Sequence, residues 1–118
     1  MAIDRKQLIR EYKQTPTPMG VLRIRNDADG RAYLLSAANL PGIINSQRFS
    51  LDHGSHPNAE LQADYARLGR ERFTFEVLDR LEPTEGAGHD YRRDLEGLLE
   101  LWLEKLQPYG DQGYHTRR

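Results

Sequence analysis

Two apolar tripeptides on either side of a turn-forming stretch constrain this fold more than any other feature of the sequence. Residues 20–22 read GVL and residues 33–35 read YLL, while residues 26–30 between them read NDADG. Asn, Asp and Gly adopt the backbone conformations that tight turns need, and apolar runs flanking such a turn are typical of paired strands. The pattern predicts a β-hairpin with strands over 20–26 and 32–37. Because the second strand is less polar, we expect it to be the more central one.

A third strand and three helices are indicated by the periodicity of the remaining sequence. Residues 73–78 alternate apolar and polar side chains, which predicts a strand over 73–79. Apolar residues recur at helical spacing in three further segments, so we expect helices over 39–53, 58–68 and 90–106. Asn39, Asn58 and Asp90 stand where these helices need N-caps.

The order of these elements predicts an α+β fold, a small and mainly antiparallel three-stranded sheet flanked by helices. A chain of 118 residues is long enough for one core, so we expect a single domain over 1–118. Apolar residues at helical spacing before Thr15 also predict a short N-terminal helical extension over about residues 1–14.

Composition limits the function classes that fit the chain. No apolar run approaches the roughly 20 residues of a membrane span, so we expect no membrane partner. There is no cysteine, which excludes disulfides and thiolate metal sites and agrees with a cytoplasmic location, the one we expect. The net charge of −1 argues against a protein coated in positive charge, so nucleic-acid binding would need a local basic face.

Several blocks of the sequence resemble the GIY-YIG nuclease family, in particular its bacterial single-domain branch. The likeness is densest where the chain reads NLPGIIN over 39–45, RF over 48–49, GSH over 54–56 and FEVL over 75–78, and it includes LWLEKLQPYG over 101–110. It extends from about Lys13 to Tyr114. The resemblance implies the α+β plan predicted above and the hydrolysis of phosphodiesters.

The resemblance also implies where catalytic groups belong. The family has two tyrosines on the hairpin, an arginine on the next helix and a metal-binding glutamate on the long helix. Here the second tyrosine is present as Tyr33. The other corresponding positions hold different residues: Leu22 for the first tyrosine, Leu35 for a glycine, Ser46 and Gln47 for the polar pair of the next helix, Leu99 for the glutamate and His115 for a terminal asparagine.

Neighbouring residues are candidates to replace the missing groups. Glu96 precedes Leu99 by three positions, and three residues along a helix return to within roughly 60° of the same face. The catalytic candidates are therefore Tyr33, Arg48 and Glu96, with Glu96 the candidate ligand for Mg²⁺ or Mn²⁺ if the protein is active. Tyr33 alone is a poor base, since a tyrosine has a pKa near 10. It is equally typical of an aromatic residue packed on a strand.

Nucleic acid is the partner that the resemblance implies, and Arg23, Arg25 and Arg48 are the candidate contacts. Arg23 and Arg25 alternate with apolar residues, so they also fit an ordinary solvated strand face. His53 and His56 lack the second ligand pair of a zinc site.

Three functions remain compatible with the sequence. One is a catalytically impaired nuclease-fold protein that binds nucleic acid or another protein. The alternative is an active metal-dependent endonuclease with a shifted active site. The third is a binder of small apolar ligands in a cleft lined by Leu22, Leu35 and Leu99. The surroundings of position 99 distinguish them, since a carboxylate there favours the enzyme and an apolar patch favours a binder.

Overall fold

The described part of the chain, residues 17–83 and 88–116 of a computed structural model, forms one sheet and three α-helices. Strands β1 (Gly20–Asn26) and β2 (Ala32–Ala37) precede helices α1 (Leu40–Asp52) and α2 (Ala59–Leu68), which are followed by strand β3 (Phe73–Arg80) and helix α3 (Arg92–Leu106). Short 3₁₀ turns lie at Arg70–Arg72 and Gly110–Gln112. The predicted extension over residues 1–14 lies outside the described residues.

The sheet is antiparallel throughout and has the strand order β2-β1-β3. The α+β prediction is therefore confirmed, but the expectation that β2 is the more central strand is wrong. β1 occupies the centre, where Val21, Leu22 and Ile24 are fully buried and both arginines have carboxylate partners. Arg23 forms a salt bridge with Glu76 of β3, and Arg25 with Asp27. A strand with charged side chains can lie between two others when its neighbours supply the opposite charge.

The junction of β1 and β3 requires glycine at its first position. A Cβ atom on Gly20 would lie 2.0 Å from the Asp79 carbonyl oxygen. Immediately after it, the β1–β3 register shifts between Val21 and Leu22. Val21 and Leu22 are both fully buried, on opposite faces of the sheet, because successive strand residues alternate faces and helices cover both.

Helices α1 and α2 cover one face of the sheet, called here the α1–α2 face. Leu22 and Ile24 of β1 pack there against Leu40, Leu51 and Leu61 of the two helices. Both helices begin as predicted. The Asn39 side chain accepts a hydrogen bond from the Gly42 N–H at 2.9 Å, and that of Asn58 accepts one from the Leu61 N–H at 3.0 Å.

Helix α3 covers the opposite face, called here the α3 face. Its leucines and Trp102 pack on Val21, Ala32 and Leu34. The predicted cap of this helix is displaced by one residue, since Tyr91 is the N-cap and makes no side-chain capping bond. Asp90 instead accepts a hydrogen bond from the Arg92 N–H at 3.0 Å and so still binds a donor of the first turn.

The segment after α3 runs along the outer edge of β2. Gly113 forms a parallel bridge with Ala32, and the Tyr114 N–H donates to the Ala32 carbonyl at 3.0 Å. A Cβ atom on Gly113 would lie 2.0 Å from the Pro108 carbonyl oxygen, so this close passage requires glycine. The bridge places His115 beside β2.

No helix within the described ranges combines the length and the hydropathy of a membrane-spanning segment.

Candidate functional site

Tyr33 lies between two histidines that come from distant parts of the chain. Its ring stacks on that of His115 with centroids 4.9 Å apart and planes 13° apart, and it meets the His56 ring edge-on at 5.5 Å. Burial raises the pKa of Tyr33 above its usual value of 10. The hydroxyl therefore keeps its proton at neutral pH.

In both histidines, the ring nitrogen that could act as a base already accepts a hydrogen bond. The Asn58 N–H donates to Nδ1 of His56 at 3.0 Å, and Nε2 of His56 donates to the Gln47 side-chain oxygen at 2.5 Å. The Leu34 N–H donates to Nε2 of His115 at 2.8 Å. A neutral imidazole has one lone pair for accepting a hydrogen bond, and a backbone donor occupies it in both rings. Burial lowers the pKa of His56 and of His115, which favours these neutral forms.

A groove of about 620 Å³ between α3 and the C-terminal segment contains the Leu99 position. His115 and Tyr109 line it on one side, and α3 contributes Leu99, Leu103 and the glutamates Glu96, Glu100 and Glu104. All three glutamates are exposed. Glu96 therefore shares a groove with the ring that stacks on Tyr33, although α3 lies on the other face of the sheet.

A divalent metal, which nuclease chemistry would call for, lacks the glutamate that the resemblance implies, because that position holds Leu99. No group of three or more His, Asp or Glu side chains within residues 17–83 and 88–116 converges to hold a metal ion. The glutamates of α3 are exposed to solvent, while Leu99 packs on the cluster of Val21, Ala32 and Leu34. The pair His53 and His56 does not supply a site either, since His53 stacks on Phe49 and His56 bonds to Gln47.

Arg48 lies away from Tyr33. Its guanidinium sits over the Phe75 ring, 4.8 Å from the centroid. Ile24 pairs with Tyr33 on one side and with Phe75 on the other, so two strand spacings, about 10 Å, separate the backbones that carry those rings. The catalytic candidates Tyr33, Arg48 and Glu96 are therefore not gathered at one point.

The three arginines predicted to contact nucleic acid do not share a face. Arg23 and Arg25 belong to the α3 face and carry the carboxylate partners Glu76 and Asp27. Arg48 is exposed on the α1–α2 face and forms no ion pair with the described residues.

The three leucines of the predicted apolar cleft do not line one cavity. Leu22 is completely buried, and Leu35 packs beside it on the α1–α2 face. Leu99 packs on the α3 face. Because the sheet lies between them, the three leucines cannot line one cleft. The function as a binder of small apolar ligands was predicted from that cleft, so the structure does not support it.

Sequence reasoning missed a polar network around the end of the hairpin. Arg31 bonds to Asp64 at 3.1 Å and to Glu60 at 2.7 Å, and its guanidinium lies 4.3 Å from the Tyr114 ring centroid. The Tyr114 hydroxyl donates to Asp64 at 2.8 Å and accepts from the buried Asn26 amide at 3.1 Å. These partners are distant in sequence, so no local pattern could reveal them. The network attaches the C-terminal segment to the hairpin and α2.

The arrangement of a central β1, a hairpin and helices on both faces has a close structural counterpart. The catalytic domain of homing endonuclease I-TevI superposes with a TM-score of 0.69, covering 85% of this chain and 99% of that chain at 20% sequence identity. This chain has a GIY-YIG nuclease-like fold. A glutamate-to-alanine variant of the catalytic domain of intron endonuclease I-TevI gives a TM-score of 0.64 at 20% identity, covering 77% and 86% of the two chains. No protein-family model matches the sequence, and neither does any curated protein.

Within this GIY-YIG nuclease-like fold, the hairpin that should carry two tyrosines carries one. Leu22, at the first tyrosine position, has no exposed surface and packs in the core. Tyr33 remains partly exposed at the edge of the sheet. The fold is complete, while the chemical groups on it differ from those that the resemblance implies.

Proposed function

We propose that this protein binds nucleic acid on a nuclease fold and does not cleave it through metal-dependent hydrolysis. The observation that carries the proposal is the state of the groups around Tyr33, where the phenol keeps its proton and both neighbouring imidazole lone pairs accept backbone N–H groups. The catalytic domain of I-TevI belongs to a homing endonuclease, which supports nucleic acid as the class of partner. The absence of cysteine supports a cytoplasmic location for this binding.

Phosphodiester hydrolysis needs a base or a metal to activate water, and positive charge to stabilise the transition state. To act as a base, His56 or His115 would have to give up a hydrogen bond to the backbone. Arg48, the exposed arginine of the next helix, lies about two strand spacings from Tyr33. The occupied histidine nitrogens and the distance of Arg48 from Tyr33 support binding of nucleic acid without hydrolysis.

Binding itself needs cations that can reach phosphate. Arg48 offers an exposed guanidinium without a carboxylate partner among the described residues. Arg23 and Arg25 can bind phosphate only by giving up their salt bridges with Glu76 and Asp27. We therefore expect them to contribute less than Arg48 to the affinity for nucleic acid.

The first test is an assay of nuclease activity. Purified protein is incubated with single- and double-stranded DNA and RNA in Mg²⁺ or Mn²⁺, beside the I-TevI catalytic domain as a positive control. We expect no cleavage above background. Leu99→Glu should not restore it, because the first tyrosine stays absent and catalytic groups that act as a unit do not contribute additively. Metal-dependent turnover that Tyr33→Phe abolishes would contradict the proposal.

One observation favours the alternative of an active endonuclease with a shifted active site. Glu96 lines the same groove as His115, whose ring stacks on Tyr33. If that site works, Glu96→Gln abolishes cleavage, while Glu100→Gln, the matched change in the same groove, leaves it intact. Equal activity of both variants and the wild-type protein would exclude Glu96 as the essential group.

A further inference from the structure

Helix α1 presents an exposed aromatic stack whose geometry is held by a hydrogen bond. Phe49 is 62% exposed, so its ring is accessible to a ligand. Its ring stacks on that of His53 with centroids 4.1 Å apart and planes 25° apart. Nδ1 of His53 donates to the Phe49 carbonyl oxygen at 2.8 Å, which fixes the imidazole against the phenyl ring. The pair is therefore an ordered aromatic surface in contact with solvent.

Two exposed arginines face a pocket that also contains Asp52, the residue before His53. Arg48 precedes Phe49 on α1, and Arg70 stands in the 3₁₀ turn before β3. Both line a pocket of about 170 Å³ whose walls include Tyr65 and Phe75. Neither forms an ion pair with any residue that the structure describes. The two guanidinium groups are therefore free to take an external anion.

One carboxylate belongs to the same pocket. Asp52 lines it and accepts a hydrogen bond from the Tyr65 hydroxyl. Burial, together with that hydrogen bond, raises the pKa of Tyr65 to about 12, so the phenol remains the proton donor of this pair. Asp52 offsets one of the two positive charges, and a net positive charge remains.

We propose that Arg48, Phe49, His53 and Arg70 form a binding site for single-stranded nucleic acid, called here the α1 platform. The arginines bind phosphates, and an unpaired base stacks on the Phe49–His53 pair. This inference rests on the proposed function and specifies its ligand and place. The site is separate from the surroundings of Tyr33, since it lies on the β3 side of the α1–α2 face.

The exposed Phe49–His53 pair favours single-stranded nucleic acid over a duplex. In a duplex each base is already stacked on its neighbours, so its face is covered and an aromatic side chain cannot stack on it. An unpaired base exposes its π-face, and stacking on an aromatic side chain is tolerant of sequence. An apolar protein interface fits this surface less well. The exposed large apolar residues of the described chain are Phe49, Val77 and Leu101, which stand on three different elements.

The test measures binding of a fluorescent oligo(dT) of about 15 nucleotides and of a duplex of the same length by fluorescence anisotropy at low salt. Phe49→Ala should weaken binding of oligo(dT) about tenfold, because it removes the base-stacking ring, and leave duplex binding within about twofold. Leu101→Ala is the matched control, since Leu101 is 63% exposed on α3 and faces away from the platform. It should change neither affinity.

The arginines are tested by the double variant Arg48→Gln with Arg70→Gln. It should weaken binding of both probes roughly tenfold, since phosphate contacts are common to single and double strands. Arg93→Gln on α3 removes an exposed arginine of the opposite face and should have no comparable effect. Circular dichroism melting of every variant confirms that the fold is intact.

The outcomes separate this inference from the proposed function. If the wild-type protein binds oligo(dT) and the Phe49 and arginine variants bind equally well, the α1 platform is wrong and nucleic-acid binding stands. If Phe49→Ala weakens the duplex as much as the single strand, base stacking is excluded. If the wild-type protein binds neither probe, the proposed function fails as well.

Discussion

At the scale of a single residue, Tyr114 connects three separate parts of the chain through one hydroxyl group. The oxygen accepts a hydrogen bond from Asn26 in the hairpin and donates one to Asp64 of α2, while its ring packs under the Arg31 guanidinium. Burial raises the pKa of Tyr114, so the hydroxyl stays protonated and can serve as donor and acceptor at once. Asn26 has no exposed surface, so its amide depends on this partner.

Removing that oxygen should be costly. We expect Tyr114→Phe to reduce the free energy of unfolding by about 1–3 kcal/mol, because it leaves the buried Asn26 amide group without an acceptor. Urea denaturation measures the change. The double-mutant cycle with Asn26→Ala should reveal a coupling of about 0.5 kcal/mol or more. Additive effects of the two substitutions would show that the hydrogen bond contributes nothing to stability.

At the scale of elements, the edge of β2 is held by side chains as well as by backbone pairing. The C-terminal segment adds a single bridge at Ala32, and His115 then accepts the Leu34 N–H that a further strand would have accepted. On the other side of Tyr33, His56 accepts the Asn58 N–H that precedes α2. Two imidazoles thus satisfy backbone donors, one at the outer edge of β2 and one at the start of α2, and they can do so only when neutral.

This dependence predicts a loss of stability in mild acid. Burial lowers the pKa of His56 and His115 below the usual value of 6.5, so the unfolded state binds more protons than the folded state in that range. Their contribution is therefore fully present above pH 6.5 and is lost as the pH falls from there towards the folded-state pKa values. Thermal melting at a series of pH values should show the melting temperature decreasing through this window.

Variants of the two histidines test the origin of that decrease. His115→Asn keeps an oxygen that can accept the Leu34 N–H and removes one of the two titrating groups. The decrease between pH 7 and pH 5 should therefore become smaller, with the part caused by His56 remaining. His53→Asn serves as the control, since His53 is exposed on α1 and should leave the profile unchanged. An unaltered profile in His115→Asn would mean that other groups cause the acid loss. Asp27 and Asp64 do not affect the melting temperature in this pH window, because the pKa of each carboxyl group lies below its usual value of 3.8.

At the scale of the whole molecule, charge limits any interaction with nucleic acid. The net charge is −1, and most arginines of the described ranges that approach the sheet are paired with carboxylates. The α3 side carries the exposed row Glu96, Glu100 and Glu104, which repels phosphate. Among the exposed arginines of the described ranges, Arg48 and Arg70 share one pocket, so we expect the strongest attraction at the α1 platform.

We expect binding that is weak, indifferent to sequence and dependent on salt. Dissociation constants should be on the order of 10⁻⁴ to 10⁻⁶ M, typical of backbone contacts. Two phosphate contacts on a single strand give a salt slope near −1.4, so affinity should fall about sevenfold between roughly 50 and 200 mM salt. Titrations at these two salt concentrations with several unrelated oligonucleotides measure this. Tight binding of one sequence that survives high salt would contradict it.

Local patterns in the sequence determined the elements of this protein. The alternation in 73–78, the turn-forming residues 26–30 and the capping residues Asn39 and Asn58 each act over a few positions, and the structure has strands, a hairpin and helices at those places. The order of these elements predicted the small, mainly antiparallel three-stranded sheet, and these signals depend on neighbouring residues alone. The GIY-YIG nuclease-like fold was predicted on other grounds, from the resemblance of whole sequence blocks such as residues 39–45 and 101–110 to that family.

Only the tertiary structure decided which side chains meet. β1 lies at the centre of the sheet, and there Arg23 meets Glu76, which is far along the chain. Tyr33 faces His115 rather than Arg48 because the C-terminal segment runs along β2 while α1 directs Arg48 towards Phe75 on β3. Such contacts join residues tens of positions apart, and their geometry depends on strand order and register, which no local periodicity encodes.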